Sequence, residues 1–481
     1  MYNNGIIKNL ILKFAAADSA AEAFTLYDGE LVKNVTYPEF AADILKAAGF
    51  FLNNQIKGQH VAIVAPNSYD WLVTYFAVIG SSNVAILMNQ DLPKDILLWQ
   101  CRKADVSMIC SDAETLNILG VNFADAKCLP FESLRQGEAA EPQMLHSAQP
   151  GDTIQMLFTS GTTGKSKAVE HAASNWFHVM TSHDIRLAPA ELNRVCIPVP
   201  FYHALGLESV IISLYYGKTV CIGRGIKYLF MDMAALNPVL LVAVPSVVES
   251  LAKILKRAVK PEDRQKYIGS KLCHIGFAGA VLKEPVLRAL LDQGFTMSVN
   301  YGMSEIPGAS TMCIIEDESQ YRSAGKFTLN TQFRFQDGEL LLNSARLMKG
   351  YYKDPEETAK VIKDGWIHTG DLGYCSAEGY FYLTGRKKNV IILSNGENVN
   401  PEEIEATFGS CPEILECMAY GDGKGICADV YTTDPDTVMA FIQKYNSGTP
   451  LYRQVYKVNC QDHPLEKTGS GKIKRKENVY V

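Results

Sequence analysis

The chain has no pair of cysteines at CxxC spacing, no apolar run approaching the roughly 20 residues of a membrane-spanning helix, no surplus of positive charge, and no internal repeat or low-complexity linker. Each absence closes off a class of function. The twelve cysteines run from Cys101 to Cys460 with no histidine at ligand spacing, so neither a zinc site nor a dithiol redox motif is indicated. Reduced, mostly buried thiols in a reducing compartment are expected. A formal net charge of -6 argues against a nucleic-acid partner, because neutralising a phosphate backbone takes a clustered basic face. The most apolar stretch, Leu236 to Val248, is broken by Pro238 and Pro245, and the opening segment is interrupted by Lys8 and Lys13. Ile6, Ile7, Leu10, Ile11 and Phe14 fall at helical spacing there. A surface helix is therefore expected in place of a signal sequence, in a cytoplasmic protein with no membrane span.

What is present is 481 residues, 47% hydrophobic and 20% charged, too long for one core. From Val61 onward short β-rich runs alternate with helical patterns: VAIVAP, a helix-like segment to Ile79, VAILM, another helix-like segment, then VSMIC. That rhythm predicts βαβ units and largely parallel sheets. Residues 154 to 158 and 195 to 199 read as further buried strands. Past Arg386 the texture changes. Asn395-Gly396 between two short runs suits a two-residue hairpin turn, and Asn400, Pro401 and Glu403 form a helix start of capping-box type. The runs ILECMAY and ICADVYT, a helix from about Pro435 to Tyr445, and VYKVN complete a small α+β unit. The expected organisation is an α/β large domain of residues 1–385 with layered, mostly parallel β-sheets and helices, a hinge at 386–388, and a small α+β lid at 389–481.

Thr159-Ser160-Gly161-Thr162-Thr163-Gly164-Lys165-Ser166-Lys167 follows a predicted strand and concentrates hydroxyls, glycines and two lysines. Backbone N–H groups and hydroxyls there can donate to polyphosphate while the lysines balance its charge. A Walker A loop would need glycine five residues before Gly164, where Thr159 stands, so that reading fails on spacing. By composition alone the cluster is as much a surface turn as a site.

Further segments follow in order. They are PVPFYHALGL from Pro198 to Leu207, a small-residue strand end from Phe277 to Leu282, and Asn300-Tyr301-Gly302-Met303-Ser304-Glu305 with Pro307 beyond it. After these come His368 to Gly373 around Asp371, Gly385-Arg386, and Pro464 to Lys472. Together with LFTSGTTGKSKAVEH, this ordered set resembles the adenylate-forming (AMP-binding) superfamily over nearly the whole chain. That group includes acyl-CoA synthetases, aryl-CoA ligases, firefly luciferase and nonribosomal adenylation domains. Ser166 and Ala168 stand where the family often has Pro and Gly, with Gly161, Gly164, Lys167 and the hydroxyls in place.

The resemblance implies a role for each segment. Thr159 to Lys165 and Lys167 would wrap the ATP phosphates. Tyr301 would stack on adenine, flanked by Gly279, Ala280, Asn300, Gly302 and Met303, while Ser304 meets phosphate and Glu305, a hard oxygen ligand, helps hold magnesium. Asp371 would accept both ribose hydroxyls, which a carboxylate does without a proton of its own, and Arg386 would contact ribose or phosphate. His203, with Phe201, Gly279, Gly302 and Pro307, would line the acyl pocket, although an isolated histidine is by default a core or surface residue. Lys388 falls at the hinge, Gly396 near an incoming pantetheine arm, and Lys472 where a lysine bridges the acid carboxylate and the nucleotide. From Pro464 to Val481 five Lys or Arg face two Glu, which by itself also fits a solvated basic tail.

The implied activity uses ATP and Mg2+ to activate a carboxylic acid as an acyl-adenylate, releasing pyrophosphate, and then transfers the acyl group to coenzyme A. A phosphopantetheine on an acyl or peptidyl carrier protein is the alternative acceptor. Tyr202 follows Phe201 where amino-acid-activating domains place Asp, which disfavours an α-amino acid and leaves fatty or aromatic acids. A non-catalytic adenylate-binding interaction protein on the same scaffold, or a luciferase-type oxidation, are the other readings. Lys472→Ala should abolish adenylate formation yet retain much of the thioester step from supplied acyl-adenylate; an equal fall in both half-reactions of a folded variant would remove the role assigned to Lys472.

Overall fold

The computed structural model describes residues 5–120, 123–159, 166–181, 191–258, 260–393, 397–467, 473–476 and 478. The opening helix Ile6–Ala15 buries Ile7, Leu10, Ile11 and Phe14, the stripe expected from their spacing. Phe14 meets Phe40 of the helix Tyr37–Asn53 and Phe76 of the helix Tyr69–Gly80, at ring separations of 5.6 and 5.9 Å. Among the described residues no helix is long and apolar enough to cross a membrane. All twelve cysteines are free thiols.

Two sheets form the large part of the molecule. In one, the strands Lys127–Pro130, Met108–Ser111, His60–Val64, Val84–Met88 and Thr153–Thr159 are parallel, and Lys167–Ala172 and Gly350–Tyr351 add antiparallel edges. Val61 to Val64 and Ala85 to Met88 are buried without alternation, as strands covered on both faces must be. In the other, Glu22–Asp28, Thr219–Ile222, Arg194–Cys196, Leu240–Ala243, His274–Ala278 and Thr296–Met303 run parallel. From Thr296–Met303 the chain then turns back antiparallel into Ile306–Ile315, and the meander that follows brings in Gly325–Phe327, Tyr380–Arg386, Trp366–Cys375, Glu339–Asn343 and Gln332–Gln336. Parallel pairing thus coincides with the βαβ rhythm, and the antiparallel meander carries the sequence from Ile306 to Arg386. The strand expected over residues 195 to 199 is shorter, ending at Cys196 ahead of Pro198, which has no N–H to give a ladder.

Beyond Arg386 lies a third, smaller sheet of Glu416–Gly421, Ile426–Tyr431 and Val455–Gln461, with the helices Pro401–Phe408 and Pro435–Ser447 against it. Its core of Ile391, Ile404, Phe408, Val430, Val438 and Val455 is a cluster of its own. Two local expectations need correction. Ile391 and Ile392 pair with Val399 and Asn398, and Leu393 N–H donates to the Glu397 carbonyl. That register leaves three residues, 394–396, between the paired positions where a two-residue turn was expected; Asn395 and Gly396 themselves lie outside the described residues. Asn400 does precede a helix with Pro401 at its first position, but its side chain donates to Glu403 Oε1 at 3.2 Å and caps no backbone N–H. The Asn400 amide N–H is spent on the Glu403 carboxylate, and its Oδ1 accepts from no N–H of the first helical turn.

Phe408 is fully buried, edge-on to Phe441 and Tyr445 at 6.1 and 5.2 Å. Phe408→Ala should remove ~3–5 kcal/mol from this small core. Urea unfolding followed by calorimetry should show the transition of the smaller unit falling while that of the large part stays; equal shifts in both would mean the two cores unfold as one.

Candidate active site

The segment from Thr159 to Lys167 is a hairpin end: Thr159 pairs with Lys167 and Phe158 with Ala168 across two antiparallel strands. Ser160, Gly161, Thr162, Thr163, Gly164 and Lys165 lie outside the described residues. Lys167 Nζ stands 2.5 Å from Glu357 Oε2 and 4.8 Å from the centre of the Tyr351 ring. Hydrogen bonds from Lys167 and Lys360 hold the Glu357 carboxyl down at about 2. The Tyr351 hydroxyl in turn donates to Glu305 Oε1 at 2.8 Å. The lysine at the mouth of the hairpin and the carboxylate expected to meet magnesium are therefore two side chains apart.

Glu305 sits at the tight return between Thr296–Met303 and Ile306–Ile315, where Met303 pairs with Ile306. Ahead of it, Asn300 is level with Ala278 on the neighbouring parallel strand, whose end carries Gly279 at φ +87 and Ala280, both exposed. Asn300 Oδ1 is buried with no hydrogen-bond partner among the described residues, an acceptor to which no described residue donates. Space at Gly302 is tight: a Cβ there would lie 3.1 Å from the Gly308 carbonyl oxygen. Met303 and Ser304 are half-buried and Pro307 is buried.

Tyr301 joins this strand end to the meander. Its ring lies 5.4 Å from Phe381 and its hydroxyl donates to Asp371 Oδ2 at 2.7 Å. Asp371, 1% exposed, is paired across the ladder with Arg386, whose Nε lies 2.6 Å from Asp371 Oδ1. Thr369 fixes the approach, donating to the Leu340 carbonyl while its Oγ1 accepts from Asp371 N–H. Burial and the neighbouring Asp371 carboxylate push the Tyr301 phenol up, so Tyr301 stays a donor.

In the PVPFYHALGL segment, His203 is the residue preceding the helix Ala204–Tyr215, its ring 4.6 Å from Tyr202. Phe201 is buried edge-on against Trp71. Lys388 lies in the short turn Lys387–Asn389, where Lys387 Nζ reaches Glu339 Oε2 at 3.0 Å. Gly396 and Lys472 lie outside the described residues. Flanking the latter, Lys467 and Ile473 form an antiparallel bridge, and Arg475 grips Glu405 with two hydrogen bonds of 2.8 and 2.6 Å. Lys283 donates to the Ile414 and Leu415 carbonyls, so the smaller unit rests on the larger one.

His171 escaped the sequence reading, for a lone histidine on a strand signals nothing. It is fully buried, with its Nδ1 3.0 Å from Gln155 Nε2 and its Nε2 2.8 Å from the Ser304 carbonyl oxygen. Gln155 Oε1 takes hydrogen bonds from the Tyr75 hydroxyl and Trp176 Nε1. With its amide oxygen so engaged, Gln155 donates to Nδ1, and His171 donates from Nε2 to the turn that holds Glu305.

The family model for the AMP-binding enzyme matches residues 13–352. The 2-succinylbenzoate–CoA ligase of Geobacillus sp. (strain WCH70) is 26% identical over 467 residues, 91% of each chain, and that of Bacillus cytotoxicus is 27% identical over 76% of each. Among solved structures, the O-succinylbenzoate coenzyme A synthetase of Bacillus subtilis in complex with AMP superposes with a TM-score of 0.84 at 23% identity, over 97% of both chains. An anthranilate CoA ligase in complex with anthranoyl-AMP reaches 0.88 at 16% identity, over 98% of this chain and 96% of that one.

Burial holds His171 down at about 4, against an ordinary 6.5, and the folded chain keeps it neutral. The unfolded chain takes up that proton below about 6.5, so stability present above that pH is lost as pH falls toward 4, at up to ~1.4 kcal/mol per pH unit. His274, held down to about 4 by its burial, adds a like share. Urea unfolding between pH 7.5 and 5 should show His171→Gln with a shallower loss than the unmodified protein; parallel curves would contradict a buried neutral His171.

Proposed function

The chain belongs to the AMP-binding enzyme family, and from that premise we propose that it is an AMP-forming acid–thiol ligase acting on an aromatic or fatty acid with coenzyme A. The observation that carries the reading is the meeting of Asp371, Arg386 and Tyr301 beside the strand end Asn300–Glu305, across from the hairpin that presents Lys167. Asn300 Oδ1 accepts the exocyclic amine of adenine. Tyr301 gives the base a face, while Gly279, Ala280 and Gly302 keep the approach free of side chains. Asp371 takes the ribose hydroxyls. Tyr301 and Arg386 already neutralise and orient it, and a carboxylate has lone pairs to spare for the diol.

In the first step a carboxylate oxygen of the acid attacks the α-phosphorus as pyrophosphate departs in line. Positioning and charge stabilisation supply the acceleration, and no side-chain nucleophile is needed. Lys167 leaves Glu357 for the phosphates, and Lys472 bridges the acid carboxylate and the nucleotide. Magnesium, when bound, neutralises phosphate charge, and Glu305 would hold it with Ser304 near the same oxygens. In the second step the thiol attacks the acyl carbonyl and AMP leaves as the nucleotide carboxylate-anhydride bond breaks. A hinge at residues 386–388, turning about Lys388, exchanges Lys472 for the Gly396 loop between steps. His203 and Pro307 line the acyl side. The names of the similar ligases support an aromatic acid and coenzyme A as acceptor, and the compartment proposed for the reaction is the cytoplasm.

Pyrophosphate release with ATP and magnesium, measured across aryl, fatty and amino acids and repeated with coenzyme A, tests this. Release with an aryl or fatty acid and an acyl-CoA product in the presence of coenzyme A are expected; no release with any acid would overturn the reading.

A further inference from the structure

Glu208 has no task in the chemistry above. It lies in the helix Ala204–Tyr215, five residues beyond His203, and is only 8% exposed. Its carboxylate faces the Gly308 N–H, while its Oε1 is buried with no hydrogen-bond partner among the described residues. A buried carboxylate oxygen without a donor is costly, and Glu208 Oε1 is one to which no described residue donates.

Arg346 is the obvious partner and is engaged elsewhere. It is fully buried, and its Nη1 donates to the Pro307 and Ala309 carbonyls at 3.1 and 3.0 Å. Nη2 donates to Thr331 and Thr328, and Nε to Ser344. All five guanidinium N–H groups are thereby taken, and none of the ion pairs among the described residues joins Arg346 to Glu208. What Arg346 does is clamp the backbone on either side of Gly308. Gly308 itself, at φ +84, has no room for a side chain: a Cβ there would lie 2.6 Å from Arg346 Nη1. On its other side the Gly308 carbonyl abuts Gly302. Backbone without side chains therefore stands between the open carboxylate oxygen and the strand end that carries Tyr301 and Gly302.

From this geometry we infer that Glu208 is a specificity-determining residue of the acyl site. The acid that is activated carries a hydrogen-bond donor, a hydroxyl or an amino group, on the part remote from its reacting carboxylate. The inference rests on Gly302 and Pro307 being walls of the acyl pocket, as proposed above. A second carboxylate on the acid would bring like charge against an ionised Glu208. Burial holds the Glu208 carboxyl up at about 7, against the pull of Gly308 N–H and Arg346, and a donor from the substrate favours the ionised form.

The test uses matched acids that differ only in the donor: benzoate with hydroxybenzoates and aminobenzoates, a fatty acid with its ω-hydroxy form, the corresponding methyl ethers, and 2-succinylbenzoate. Pyrophosphate release is measured for the unmodified enzyme, Glu208→Gln and Glu208→Leu, with ATP binding and melting temperature checked for each. In the unmodified enzyme kcat/KM for one donor-bearing acid should exceed that of its matched plain acid and methyl ether by about 10-fold or more. Glu208→Gln, which keeps an acceptor oxygen, should retain part of that ratio, and Glu208→Leu should bring it near one while the plain acid reacts undiminished. Equal rates within every pair, a ratio unchanged in Glu208→Leu, or 2-succinylbenzoate as the best acid would overturn the inference. If Glu208→Leu does not fold, the ratios of the unmodified enzyme and of Glu208→Gln decide in the same way. Release with plain acids alone sinks this inference and leaves the ligase reading standing; no release with any acid sinks both.

Discussion

Asp371 is a carboxylate taken almost wholly out of water, and such a group persists only where charge and donors meet it from the protein. Arg386 supplies both from across the same ladder, and the Tyr301 hydroxyl adds a donor from the parallel half of the sheet. This one electrostatic demand ties three regions together: the strand end with Asn300 and Glu305, the antiparallel meander, and the residue from which the chain passes into the smaller unit. Asp371 thus serves as the clasp between these regions.

A second line of contacts supports the turn that bears Glu305. Tyr75 and Trp176 orient Gln155, Gln155 orients His171, and His171 holds the Ser304 carbonyl. These groups are buried, where hydrogen bonds act with little competition from water and fix a single tautomer. The turn bearing Glu305 is therefore set by the core of the other sheet. Lys167 and Glu357 form a partly exposed ion pair at the same mouth, an arrangement worth little to stability.

The wall around Gly302 and Gly308 is built differently. Gly302 and Gly308 stand back to back, and Arg346 spends every donor on the backbone and hydroxyls around them. A buried cation used this way makes the wall rigid without closing it, and leaves Glu208 as the polar group with capacity to spare.

Much of this was legible in the order of residues. The βαβ rhythm from Val61, the change of texture at Arg386, and the strands and helices of the smaller unit are local patterns of period two and period 3.6, and they stand within a residue or two of where they were expected. The motifs around Thr159, Asn300, Asp371 and Arg386 are contiguous runs, so sequence alone marked them. Side-chain partnership across sequence distance was not legible. Neither the three-residue connection after Leu393 nor the Asn400–Glu403 contact follows from composition, because register and donor competition depend on neighbours across a ladder or on the opposite side of a helix start. His171, 133 residues from Ser304, and Glu208, set against Gly308, each gain meaning only from a group brought up by another element. The sequence by itself determined the elements, their division into a large and a small unit, and the family's motifs; the tertiary structure alone decided which buried polar atoms found partners and which did not, since burial and hydrogen bonding are properties of a packed neighbourhood that no single segment contains.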